Sequence, residues 1–137
     1  MTSNTIKFRL IKDNRNLGHF DLTSLVINVS NYYLDVNTGK LDPKLIFNRF
    51  SGFTDVCDNE IYEGDILTHK TKHGQYRTGE IIYSEEYATF LIKFWEGNEY
   101  MSDYLCGIHN RKEELVIIGN IYENAHLLNK VENKPKL

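Results

Sequence analysis

The sequence predicts a mainly β fold: a small closed or half-closed barrel, with additional N-terminal β elements and a short C-terminal helix. Three observations carry that prediction. From residue 65 to residue 122 the apolar and β-branched residues come in short alternating runs. Turn residues, glycine prominent among them, separate those runs at close spacing. After the last run, Glu123-Asn124-Ala125-His126-Leu127-Leu128 offers a capping residue followed by helix formers and two leucines.

The first third of the chain is the harder part to read. Residues 6–11 (IKFRLI) alternate in part, and Asp13-Asn14-Arg15-Asn16 follows as a polar turn. Residues 22–29 and 32–36 are rich in β-branched and aromatic side chains and read as extended, with Asn37-Thr38-Gly39 as the next turn. Two readings stand at Leu41-Asp42-Pro43. Asp can cap a short helix with Pro at its first position, or the tripeptide is a loop before an extended KLIFNRF. Residues 1–48 are thus assigned to an N-terminal β subdomain that packs on the barrel or extends from it.

Residues 49–128 form the barrel and terminal helix. Residues 65–71 (DILTHKT) leave a Glu63-Gly64-Asp65 turn, Lys72-His73-Gly74-Gln75 makes a hairpin tip, and residues 77–84 return. Residues 87–95 (YATFLIKFW) place Ala88, Phe90, Ile92 and Phe94 on one face and Tyr87, Thr89, Leu91, Lys93 and Trp95 on the other. Glu96-Gly97-Asn98 turns the chain, and residues 100–105 pair back. Residues 114–122 put Leu115, Ile117, Gly119 and Ile121 on one face, with Gly119 marking a bulge or bend. Residues 129–137 are polar and read as a flexible tail.

Ile-Tyr-Glu occurs twice, at residues 61–63 and 121–123. In both, the Ile is expected in the core, and the Tyr half-buried with its hydroxyl in water. A change of direction follows each: Gly64 permits positive φ, and Asn124 caps the helix.

Composition narrows the function classes. A net charge of −3 and a pI near 5.9 provide no general attraction to nucleic acid. The longest aliphatic run, residues 115–118, is far too short to span a bilayer, and the N-terminus lacks a signal-peptide pattern. The expectation is a cytoplasmic protein with no membrane partner. Cys57 and Cys106 share no motif spacing and are expected as free thiols.

No catalytic constellation emerges. His69 and His73 are four apart, a ligand spacing on a helix, but they fall on a strand and a hairpin tip; His19, His109 and His126 are scattered. Glu60, Glu63 and Asp65 fit turn and rim chemistry better than acid–base work, with Asp65 bonding local backbone. Ser102, Asp103 and His109 lack a nucleophile's context. The chain is therefore expected not to be an enzyme and to need no metal or cofactor.

Two surfaces stand out as candidates. Lys70, Lys72 and Arg77 form a local basic patch that can hold phosphate, with Tyr76, Tyr83 or Trp95 available for stacking; a solvated hairpin tip explains the same residues. Tyr87, Leu91 and Trp95 share a face too apolar for plain solvent, so it is covered by the N-terminal elements or by another subunit.

The stretches FSGFTDVCDNEIYEGDI (residues 50–66), Gly79-Glu80-Ile81 and VIIGNIYENAHLL (residues 116–128), together with Ile6-Lys7-Phe8-Arg9, resemble the YopX family of small phage and prophage proteins. Ser51-Gly52-Phe53 departs from the family's Thr-Gly-Leu, Asp58-Asn59 from its Asn-Gly or Asp-Gly, and Ala125 from its Pro. Residues 10–49 match no motif of the family. The Gly64-Asp65-Ile66 entry is also similar to the start of SH3-like barrels, and a small SH3-like β-barrel is the core architecture expected from it. The resemblance implies a phage or prophage origin, a homo-oligomer, and no transferable catalytic residue. It leads to an expected role in binding and sequestering or inhibiting a host component, either a protein or a signalling nucleotide, as in counter-defence. The alternative is a nucleic-acid-binding barrel used in phage replication or transcription.

Overall fold

A computed structural model describes residues 6–96 and 99–128. The chain divides into two compact units, Met1–Phe50 and Ser51–Leu137. Gly97 and Asn98 of the expected turn, and the expected tail at residues 129–137, lie outside the described residues.

In the first unit β1 (Lys7–Lys12) pairs antiparallel with β2 (Arg15–Asp21), and on its other side with the start of β3 (Ile46–Thr54). Asp13 and Asn14 turn β1 into β2 with φ of 54° and 61°, which Asp and Asn tolerate better than most residues. Leu10, Leu25 and Leu45 form the buried cluster, with Phe8, Phe20, Val29 and Tyr33 packed around it. On the opposite face of β1, Arg9 is buried and donates from Nε and Nη2 to Asn48 Oδ1, its partner in register on β3.

The extended reading of residues 22–29 and 32–36 is wrong. Residues Leu22–Tyr32 form a helix, α1. Asp21 caps it, accepting from Ser24 N at 2.9 Å and Ser24 Oγ at 2.7 Å, so a local hydrogen-bond pattern overrides the β-branched composition. Leu25 and Val29, four apart, turn onto the leucine cluster. Beyond α1, residues 33–45 form loops and turns, with Asp42 Oδ1 accepting from Lys44 N, so the loop reading of Leu41-Asp42-Pro43 holds.

In the second unit the five strands β5 (Asp65–Lys70), β6 (Tyr76–Ser84), β7 (Thr89–Glu96), β8 (Glu99–Tyr104) and β9 (Glu114–Asn120) form one antiparallel sheet in the order β8-β7-β6-β5-β9. It curls into a half-barrel. The end of β3 and the short β4 (Glu60–Tyr62) precede it, and α2 (Leu105–Asn110) joins β8 to β9. Ile61, Leu67, Ile81, Ile92, Phe94, Leu105, Ile108 and Leu115 fill the concave side, each worth roughly 2 kcal/mol when fully buried. The inward face expected for β7 is found at Phe90, Ile92 and Phe94. Tyr87 and Ala88 instead belong to the preceding turn, where Ala88 has φ of 52°.

The two Ile-Tyr-Glu segments meet. Gly64 takes φ of 86°, and its carbonyl accepts from Ile121 N at 2.8 Å, which ties the second motif to the turn of the first. Asp65 Oδ2 accepts from Tyr62 N, as its turn position requires. Tyr62, however, is fully buried, and its hydroxyl bonds Glu60 Oε1 rather than water. The bulge in β9 falls between Ile117 and Gly119, opposite Ile66 and Leu67. Asn124 does not cap forward: its Oδ1 accepts from Asn120 N, and only a short turn of helix follows at residues 126–128.

Candidate functional site

The candidate site is β8 with the convex side of the sheet next to it. A polar cluster on the concave side holds the strand in place. His69, on β5, is completely buried. Its Nδ1 lies 3.0 Å from Arg77 Nη2 and its Nε2 lies 2.8 Å from Glu113 Oε1. A guanidinium can only donate, so Nδ1 must accept and Nε2–H must donate to the carboxylate. Arg77 also reaches Asp103 Oδ2 on β8 at 3.3 Å, and Arg111 donates to the same oxygen at 2.8 Å and to Glu113 Oε1 at 3.0 Å. Two guanidinium groups balance two carboxylates, which is how buried charge is made tolerable.

Arg111 beside Glu113 is the main reason that the Glu113 carboxyl is held down to about 2; burial opposes the shift, and the donors His69 and Lys72 N assist it. Arg77 sits over Phe94, its guanidinium carbon 4.0 Å from the ring centroid, and its buried Nε has no acceptor among the described residues.

The two sheet edges differ. Along β9, Val56 N donates to Leu115 O and Ile117 N donates to Asp55 Oδ2, each at 3.0 Å, so the loop after β3 covers that edge. Burial raises the Asp55 carboxyl, but the N–H groups of Ile117, Asn59 and Cys57 outweigh it and leave the group below its ordinary range. β8 has no such cover among the described residues. Glu99 to Ser102 and Tyr104 are all exposed.

On the convex side Tyr104 is opposite Leu91, Ser102 opposite Lys93 and Tyr100 opposite Trp95. Trp95 and Tyr100 stack with centroids 3.8 Å apart, and Lys93 Nζ lies 3.9 Å from the Tyr100 centroid. At the other end Tyr87 meets Tyr104 edge-on at 6.4 Å. Tyr87, Tyr100 and Tyr104 are 58%, 52% and 46% exposed. Burial raises the Glu80 carboxyl beside this face, and Lys93 opposite it in register pulls the other way.

The residues singled out from the sequence scatter. Lys70 Nζ sits 5.8 Å from the centroid of the exposed Tyr76 ring. Lys72 uses its backbone N–H on Glu113 Oε2. Arg77 points into the polar cluster, on the concave side, and so does not join Lys70 in a surface patch. Leu91 is only 8% exposed and has little surface left for a partner subunit, whereas Tyr87 and Trp95 do lie on the aromatic face. His69, read only as a strand histidine without a ligand role, is the buried centre of the cluster. Asp103, weighed only for a nucleophile's setting, and Arg111 and Glu113 were missed as cluster members because nothing local marks residues of β8 and the turn after α2 that converge on His69 and Arg77. Tyr100 and Tyr104 were missed because nothing local marks β8 as an edge.

Among the described residues no group of His, Cys, Asp and Glu has the arrangement to hold a metal ion, and no helix is long and apolar enough to cross a membrane. A comparison with curated proteins gave no match. A family model described as YopX protein matches residues 5–129, nearly the whole chain, and includes both Ile-Tyr-Glu segments tied together at Gly64. The chain belongs to the YopX family.

Proposed function

We propose that this is a phage-type accessory protein that acts by binding, without catalysis, and that it captures a host protein on β8 and the aromatic face beside it. Family membership supports the phage origin. The observation that carries the binding role is a run of exposed aromatic residues, Tyr87, Tyr104 and Tyr100, along a sheet edge that no other strand or loop covers among the described residues. Rigid amphipathic aromatics of this kind contribute strongly to protein interfaces. Sequestration or inhibition of the captured protein, as in counter-defence, is the role we assign to it.

Replacement of Tyr100 or Tyr104 by a photocrosslinking amino acid in the full chain, expressed in the bacterial host, tests the reading. One defined host-protein adduct is expected from both positions and none from Val36, an exposed residue of the first unit. Adducts that are equal at all three positions, or absent, would contradict it. The nucleic-acid alternative has less support, because Arg77 is engaged by His69 and Asp103. A host nucleic acid, rather than a protein, crosslinked at Lys70 or Tyr76 would restore it.

A further inference from the structure

A strand edge with free backbone groups invites another strand, and proteins commonly blunt such edges with Lys, Pro, bulges or covering loops. β9 has its loop. β8 (Glu99–Tyr104, EYMSDY) has no Lys, Arg or Pro and no irregularity in its pairing with β7. Asp103 within it is paired with Arg77 and Arg111, and Lys93 lies against the Tyr100 ring, so the exposed carboxylates are those that flank its two ends. Glu96 and Glu99 stand opposite each other at one end, both exposed. At the other, Tyr104 contacts Tyr87 of the β6–β7 turn, whose Glu85 and Glu86 are exposed.

That arrangement selects the occupant. A second β8 laid antiparallel would bring Glu96 and Glu99 of one copy toward Glu85 and Glu86 of the other, and a parallel one would align the like ends. Parallel pairing sets acid directly against acid, which is destabilising between facing strands, and antiparallel pairing adds acidic groups at both ends with no cation from β8 to face them. A cation-bearing strand meets acid at both ends with a tyrosine shelf beneath it. We propose that the β8 edge takes an extended Lys- or Arg-bearing segment of the partner protein by strand addition. Main-chain hydrogen bonds would supply affinity, and Tyr100 and Tyr104 would hold alternate side chains. The inference rests on the binding reading above and names the chemistry of its partner.

The test uses the folded full chain and a fluorescent nonapeptide of alternating Lys and Val, with blocked ends. Three comparisons decide it: the same peptide with every amide N-methylated, a Glu–Val counterpart, and the protein variant Glu86→Lys/Glu99→Lys. Saturable binding of the Lys–Val peptide is expected, weakened about tenfold or more by N-methylation and by the charge reversal, with no binding of the Glu–Val peptide. Because both substitutions are on exposed residues, circular dichroism should be unchanged.

Equal binding of the N-methylated peptide overturns strand addition, and equal binding of the Glu–Val peptide overturns charge selection. A Ser102→Cys disulfide that forms readily between two copies, in a Cys57→Ser/Cys106→Ser background, would assign the edge to self-association and also overturn the proposal. A host adduct at Tyr100 combined with indifference to N-methylation removes strand addition while leaving the binding face in place. Peptide binding without any host adduct does the reverse.

Discussion

Nε2 of His69 lies 2.8 Å from Oε1 of Glu113, a residue 44 positions away on the far side of the β6–β7–β8 excursion. The pair joins β5 to the turn that follows α2, and through Arg111 and Arg77 it extends to Asp103 on β8. A strand that offers its outer edge to a partner needs such anchorage from within, since otherwise the edge would fray as it bound.

Glu113→Gln tests that anchorage. It keeps the shape but removes the charge that Arg111 faces, and the stability cost should be about 1–2 kcal/mol, less than for a fully buried pair because Arg111 is 41% exposed and keeps Asp103. Urea unfolding of the variant against the parent protein reads it. A cost under about 0.5 kcal/mol, the range of ordinary surface substitutions, would show the cluster to be incidental.

Acid should loosen the same region. The Glu113 carboxyl is held at about 2, below its ordinary 4.5, and Asp55 is also lowered. A depressed carboxyl contributes stability that is complete above its unfolded value and is lost as pH falls toward the folded one. The parent protein should therefore lose stability faster than Glu113→Gln between pH 4.5 and pH 2, and the two should converge at the acid end. Parallel curves would contradict this.

Asp55→Ala should expose β9. The change strips acceptors from Ile117 N, Cys57 N and Asn59 N. Cys57 and Asn59 are exposed, so water can replace the lost acceptor there, and the half-buried Ile117 N carries most of the cost, about 1–2 kcal/mol in total. Amide exchange at Ile117 should speed up more than at Ile81 in the sheet centre.

Gly119 is a matter of space. A Cβ there would lie 2.5 Å from Asn124 Oδ1 and 2.8 Å from Asn124 Cβ. Gly119→Ala should cost about 2 kcal/mol, and less in an Asn124→Gly background, where both the clashing amide and the clashing Cβ are gone. Equal costs in the two backgrounds would show that the strain lies in the backbone.

The sequence made the half-barrel legible where local chemistry decides structure. Alternation on β7, the glycine turn at Gly64 and the hairpin tip at Gly74 are each dictated by neighbours in the chain. The helix α1 was misread because its cue was a single Asp21–Ser24 cap set before Val and Ile, which count toward strands. The site was largely illegible for a different reason. His69, Arg77, Asp103, Arg111 and Glu113 come together only through strand order, and no spacing encodes a five-stranded register. An exposed edge is likewise a property of topology: nothing in EYMSDY says that no strand will follow it.

Hydrogen–deuterium exchange of the full chain, alone and with its crosslink-identified host partner, tests the central claim most directly. Slowed exchange at residues 99–104 is expected, with β9 unchanged. Protection confined to residues 70–77, or no protection on β8, would contradict it.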